Sequence, residues 1–124
     1  MTVGMVASEA NEDLDALVAE FPWIKLHVGD PGAAGTSNAA GNTTRKQASW
    51  SAASGGSVTT SAELLWSDAE VNTAEDYTHI SGWTASTAGS FGWSGTMTAN
   101  AVSASGDEFR IAAGGITLSL TVAA

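Results

Sequence analysis

Residues 108–122, EFRIAAGGITLSLTV, decide the fold, because apolar and polar side chains alternate along them with a period of two. The apolar positions are Phe109, Ile111, Ile116, Leu118, Leu120 and Val122. Successive side chains of a strand point to opposite faces, so this pattern predicts two strands that each bury one face. Ala113, Gly114 and Gly115 separate the two series and predict a hairpin turn between them.

The same period of two extends back to Pro22. Ile24, Leu26 and Val28 alternate with Lys25 and His27, which predicts a first strand with His27 on its solvent face. Further runs follow at Ala48 and Trp50, at Ala62, Leu64 and Trp66, at Tyr77, His79 and Trp83, and at Phe91, Trp93 and Met97. Gly, Ser, Asn and Asp separate the runs. Seven or eight short strands with such turns predict a mainly β protein, an antiparallel β-sandwich or a jelly-roll-like barrel.

The segment before Pro22 follows the helical period instead. Its apolar residues, at i, i+3, i+4 and i+7, are Leu14, Leu17, Val18 and Phe21. This spacing predicts one short helix, capped by Ser8 or Asn11 and ended by Pro22. We therefore expect a single domain over residues 1–124, with an N-terminal segment and helix at 1–22 and a β domain at 23–124.

Composition excludes several classes of function. The formal net charge is −9, with 13 acidic residues against four basic ones, so the protein repels nucleic acid and anionic membranes. The chain has no cysteine, so a disulfide framework and thiolate metal sites are excluded. Its apolar stretches fall well short of the roughly 20 residues that cross a bilayer, and its first residues do not resemble a secretory signal.

No catalytic motif accompanies the titratable residues. His27 and His79 are the only histidines, and no nucleophile or carboxylate stands at a spacing that would make either one a general base. Asp68, Glu70, Glu75 and Asp76 lack the EF-hand order of calcium ligands, and nothing marks two of them as a glycosidase pair. The glycines at 29–35 lack the Gly-Lys-Ser/Thr ending of a phosphate loop. We predict a protein without catalytic residues, cofactor or metal.

Surface contacts offer more candidates. Arg45 and Lys46 form the only basic cluster, on the strand leaving the Gly-rich loop 29–42, which we expect to be exposed. They either pair with carboxylates on a neighbouring subunit or discourage unwanted pairing at a strand edge. Most of the five tryptophans are expected in the core, with one or two at an intersubunit surface. The candidate interface set is Arg45, Lys46, Trp23, Asp30 and Pro31.

Four stretches, read in order, resemble a family of small phage and prophage virion proteins often labelled tail fibre or minor tail protein. They are LDALVAEFPWIKLHVGDPGAAGTSNAAG, TRKQASW, HISGWTASTAGSFGWSGTM and GDEFRIAAGGITLSL, which together extend over roughly residues 14–120. The shared positions are Leu26, His27, Asp30, Pro31, Gly32, Gly35, Arg45, His79, Gly89, Gly106, Asp107, Ala113, Gly114 and Gly115. Thr44 replaces the aromatic residue that the family usually has before Arg45.

The resemblance implies a virion component without catalytic residues, assembled in the cytoplasm of the host bacterium. The leading hypothesis is a capsid decoration protein, a homotrimer that binds and stabilises the major capsid protein on the head surface. The alternative is a minor tail or tail fibre subunit bound to other tail proteins, with host-glycan binding through exposed aromatic rings. A cell-wall hydrolase is the third hypothesis, and it requires His79. Neither nucleic acid nor membrane is expected as a partner.

Overall fold

The computed structural model describes residues 3–102 and 106–123, and within them it contains one helix and eight strands. The helix α1 spans Ala7–Glu20. The strands are β1 (Trp23–His27), β2 (Lys46–Gln47), β3 (Ser57–Thr59), β4 (Leu64–Trp66), β5 (Glu75–Trp83), β6 (Phe91–Val102), β7 (Phe109–Ile111) and β8 (Thr117–Ser119). The predicted fold class, mainly β with antiparallel pairing and one short N-terminal helix, is confirmed.

The helix begins earlier than its sequence suggests. Val6 occupies the N-cap position without a side-chain hydrogen bond, so the prediction that Ser8 or Asn11 caps the helix is wrong. Asn11 lies inside α1, where its side-chain oxygen accepts the backbone N–H of Gly56 at 2.9 Å. This bond ties the helix to the turn before β3. The buried face of α1, formed by Ala10, Leu14 and Val18, packs towards that strand.

Four strands form the largest sheet, in the order β2-β1-β5-β6. In the antiparallel register of β1 and β5, Trp23 lies opposite Trp83, Leu26 opposite Ile80, and His27 opposite His79. Directly opposed residues share a face of the sheet. The even-numbered residues of β1 therefore face the core with Ile80, and its odd-numbered residues lie on the other face of the sheet.

Two smaller sheets, β3-β8 and β4-β7, contribute further side chains to the core. Trp66 and Tyr77 are the largest fully buried side chains, and the Phe109 ring packs against both, with centroid distances of 5.6 and 4.9 Å. The main cluster also contains Ile24, Leu26, Leu64, Val71, Ile80, Ile111 and Ile116. Aromatic contacts of this kind add about 0.5–1.5 kcal/mol each to the burial of the rings.

The predicted hairpin at residues 113–115 is a turn but not a hairpin. The Gly115 N–H donates to the Ala112 carbonyl at 2.8 Å, as a turn requires. The flanking strands do not pair with each other, because β7 pairs with β4 and β8 pairs with β3. Thr60 holds both sides of the turn, accepting the Gly114 N–H at 2.7 Å and donating its own N–H to Ile116 at 3.1 Å. The turn thus carries the chain from one small sheet to the other.

Two further predictions, at His27 and Val28, are wrong, and a third, for the loop 29–42, holds only in part. His27 is completely buried rather than solvent-facing, and Val28 is 41% exposed rather than part of the core. The strand ends at His27, so the alternation no longer applies to Val28. The loop 29–42 is only partly exposed, because Pro31 and Asn42 are buried in it. Strand β3 was not predicted, since three residues are too short to show a period.

Candidate subunit interfaces

A groove of about 700 Å³ runs between β6 and β8. In the described part of the chain, β6 pairs only with β5 and β8 pairs only with β3, so each strand has an edge without a partner strand. Ile80, Ile111 and Ile116 from the main core lie at the bottom of the groove. The partly buried Trp93 and Met97 line its β6 side. The groove is therefore an opening onto the core between two strand edges.

The β6 edge has little protection against pairing with another strand. Its sequence, FGWSGTMTANAV, contains no charged residue and no proline over 12 residues. Exposed edges in monomeric proteins are usually blocked by such residues, by bulges or by a covering element. Two irregularities are present, because the register with β5 shifts between Tyr77 and His79 and again between Gly82 and Trp83. Between them, Trp93, Ser94, Gly95 and Thr96 pair regularly with β5.

A short apolar segment lies beside the downstream end of β8. Val3 is 81% exposed and Val6 63% exposed, the highest values among the large apolar side chains of the described residues. Met5 holds this segment in place, donating its N–H to the Thr121 carbonyl at 3.1 Å and accepting the Ala123 N–H at 2.8 Å. The exposed segment is thus fixed next to the groove.

A second feature, which we call the Trp83 patch, lies on the other face of the large sheet. It consists of Trp83, Trp23, Lys25 and Arg45. The Arg45 guanidinium stacks 4.3 Å from the Trp83 ring centroid, and the Lys25 ammonium lies 6.0 Å from the same centroid. Burial, and then the Arg45 charge, lower the pKa of Lys25. Desolvation and the repulsion between the two positive charges therefore both oppose placing Lys25 beside Arg45 on one aromatic ring.

Arg45 is positioned by the backbone. Its Nη1 donates to the carbonyl oxygens of Ala85 and Ala88 at 2.9 and 2.7 Å, both in the loop between β5 and β6. Together with the stacking on Trp83, these bonds fix the plane of the guanidinium. They leave Nε and Nη2 without a hydrogen-bond partner in residues 3–102 and 106–123.

A buried polar network lies under the patch. The Trp83 Nε1–H donates to Ser81 Oγ at 2.7 Å, and Ser81 Oγ lies 2.7 Å from His27 Nε2. His27 Nδ1 donates to the Ser37 carbonyl at 3.0 Å. Because that carbonyl only accepts, Nδ1 carries the proton and the Ser81 hydroxyl donates to Nε2. Burial lowers the pKa of His27, which favours this neutral imidazole.

The structure separates the predicted interface residues. Trp23 and Arg45 both belong to the Trp83 patch, and both are half-buried. Lys46 faces the other way and bonds Glu70 at 2.7 Å. Asp30 is exposed, and its carboxylate accepts the Gly32 N–H at 2.9 Å. The interface role of these residues stays a prediction.

Pro31 is the fifth member of that set. It is buried, and its carbonyl accepts the Ser37 N–H at 2.9 Å. Sequence reasoning missed Lys25, because nothing in the alternation pairs it with Arg45. It also missed the β6 edge, although the absence of charge over residues 91–102 was visible.

Two of the acidic residues considered for calcium have structural roles. Glu70 pairs with Lys46, and the Glu75 carboxylate accepts the backbone N–H groups of Gly41 and Asn42 at 2.6 and 3.3 Å. Across residues 3–102 and 106–123, no group of three or more His, Asp or Glu could hold a metal ion. No helix of the described chain is long and apolar enough to cross a bilayer.

Comparison with known proteins gives the family. A family model described as podophage GP4 fiber I protein gp80 matches residues 16–119, from the helix to β8. A search of curated proteins found no match. The matched region contains the groove strands β6 and β8 as well as the Trp83 patch. The suspected resemblance to a phage tail fibre-type family is confirmed, and the chain belongs to the family of podophage GP4 fiber I protein gp80.

Proposed function

We propose that this phage fibre-type structural protein is a tail fibre subunit that assembles as a homotrimer through the groove between β6 and β8. The family match is the observation that carries the fibre assignment. Each groove would receive a strand edge from a neighbouring copy, which pairs with the free backbone of β6. Three copies related by rotation close such a contact into a ring.

The β6 edge supports this occupant. Backbone pairing gives affinity to an added strand, and apolar pockets for its alternate side chains give specificity. The groove supplies both, because its strand edges lack partners and Ile80, Ile111 and Ile116 lie at its bottom. An edge strand of 12 residues without charge or proline promotes unwanted aggregation of a monomer. In an assembly, the same edge allows pairing with a strand of a neighbouring copy.

The expectation of capsid decoration receives less support. The family match favours the tail fibre alternative, and it implies a virion component built in the host. Copy number separates the two. Quantitative mass spectrometry of purified virions should find a small number of copies for a fibre and hundreds for a head-surface protein. Labelling with an antibody against the chain should mark the tail.

Assembly is tested by light scattering coupled to size exclusion. We expect a particle with three times the chain mass of 12.5 kDa. Thr96→Lys introduces a charge on the β6 edge at an exposed position that lines the groove, and it should yield monomers. The matched control is Thr43→Lys, an exposed loop position with the same change of charge, which should leave the mass unchanged.

Two results would contradict the assembly proposal. One is an unmodified chain that stays monomeric at tens of micromolar protein. The other is a Thr96→Lys protein with the same mass as the Thr43→Lys control. In either case circular dichroism must show that the variants keep the β fold.

A further inference from the structure

We infer that the Trp83 patch is a carboxylate-binding site and that its ligand is the acidic face of α1 in a second copy of this chain. The inference rests on the proposed function, because it requires copies that associate. It adds a second contact on the opposite face of the sheet from the groove.

The two patch cations lack acidic partners. The chain has four Lys and Arg residues against 13 Asp and Glu. Lys46 pairs with Glu70, and Arg110 pairs with Glu63 and Glu108 at 2.6 and 3.3 Å. Among the described residues, Lys25 and Arg45 have no such ion pair. Because the protein has such an excess of acidic residues, two neighbouring cations without a carboxylate partner indicate a binding site for a carboxylate of another molecule.

The Trp83 patch is also preorganised for binding. Arg45 is fixed by two backbone carbonyls and by the Trp83 ring, so little side-chain entropy is lost when it binds. Its Nε and Nη2 can donate to a carboxylate. The two distances to the ring place the charges of Lys25 and Arg45 within about 10 Å of each other. Two carboxylates one helical turn apart, whose Cβ atoms are about 5–6 Å from each other, fall within this upper limit.

The helix α1 presents such carboxylates. Glu9, Glu12, Asp13 and Glu20 are all exposed and recur at helical spacing, so they form one stripe opposite the buried face. At 1.5 Å per residue the stripe is about 16 Å long. No basic residue lies in α1, so these like charges repel each other. Cations from a neighbour would relieve that repulsion.

An acidic polysaccharide is the competing ligand, and the aromatic geometry disfavours it. Sugar recognition uses an open ring face on which the sugar stacks. Trp83 is only 7% exposed, and Arg45 covers one of its faces. The charge complementarity within the chain itself favours a second copy.

The test measures self-association of the full chain by analytical ultracentrifugation at low and high NaCl. Lys25→Gln should weaken the association constant about tenfold at low salt, and less at high salt because ions screen the pair. Ser61→Asp is the matched control: it makes the same change of net charge at an exposed turn position between β3 and β4 that belongs to neither the patch nor the groove. It should leave association within about twofold of the unmodified chain.

Charge reversal identifies the partner surface. A Lys25→Glu protein and a Glu9→Lys, Asp13→Lys protein, whose two changes lie one helical turn apart, should each associate poorly alone. Mixed together, they should form hetero-assemblies, because the acidic helix-to-patch contact is restored with opposite signs. Failure of the mixture to associate would overturn the choice of α1 as the ligand.

The remaining outcomes are also decisive. If Lys25→Gln and Ser61→Asp behave alike while Thr96→Lys still yields monomers, the inference fails and the groove proposal stands. If polygalacturonate binds the chain, Lys25→Gln abolishes that binding and self-association is unaffected, the ligand is a polysaccharide. A chain that never associates would overturn both proposals.

Discussion

Removal of the Ser81 hydroxyl should cost far more stability than an ordinary serine substitution. Ser81 is fully buried, and its Oγ accepts from Trp83 and contacts His27, both at 2.7 Å. Ser81→Ala leaves an indole N–H and an imidazole nitrogen in a dry site without partners. Each unsatisfied buried group costs about 1–3 kcal/mol. We therefore expect a loss of about 3 kcal/mol in the free energy of unfolding, which lowers Tm by roughly 10 °C.

The assay is urea unfolding at pH 7.5, followed by tryptophan fluorescence at one fixed protein concentration, because subunit association contributes to the measured stability. The matched control is Ser94→Ala. Ser94 lies directly opposite Ser81 in the β5–β6 pair but is exposed, so its loss should change stability by less than about 0.5 kcal/mol. Equal, small losses in both variants would refute the idea that Ser81 links Trp83 to His27.

Two further predictions use His27 and Gly35. Because burial lowers the pKa of His27 below 6.5, the unfolded state binds the proton more readily, so stability should be complete above pH 6.5 and fall as the pH drops below it. His27→Gln should flatten this decline in urea titrations across pH 5–7.5; a profile identical to that of the unmodified chain would contradict the assignment. Gly35→Ala should cost about 2–4 kcal/mol, since φ is +73° and the new Cβ would lie 2.4 Å from the Phe91 ring. Gly55→Ala, with φ +59° and open space around it, should cost only about 1 kcal/mol by thermal melts, and a similar loss at both sites would refute the contact.

Strand content was predictable wherever local alternation governs burial. Ile24, Leu26, Leu64 and Trp66 are buried as their period of two requires. His27 was not predictable, because its burial depends on Ser81, which is 54 residues away in the sequence. The polar side chain of His27 predicted exposure to solvent, but the Ser81 hydroxyl provides a hydrogen bond to its ring nitrogen inside the protein.

The candidate interfaces also combine residues that the sequence singled out with contacts that only the structure shows. Arg45 was singled out from the sequence, but its stacking on Trp83 and its closeness to Lys25 come from three different strands and loops. The groove likewise combines β6 and β8, which are not partners in any sheet. Neither feature has a sequence signature, because each depends on which strand edges lie next to each other.

The sequence by itself determined the class of fold, the helix before Pro22 and the excess of acid, because side-chain period and charge are local properties of the chain. Only the tertiary structure decided that β7 and β8 go to different sheets on either side of the Gly114 turn. The physical reason is that strand pairing is set by long-range backbone hydrogen bonds, here those of Thr60, which compete with the local hairpin. The same long-range pairing leaves β6 with a free edge and places two cations on one tryptophan.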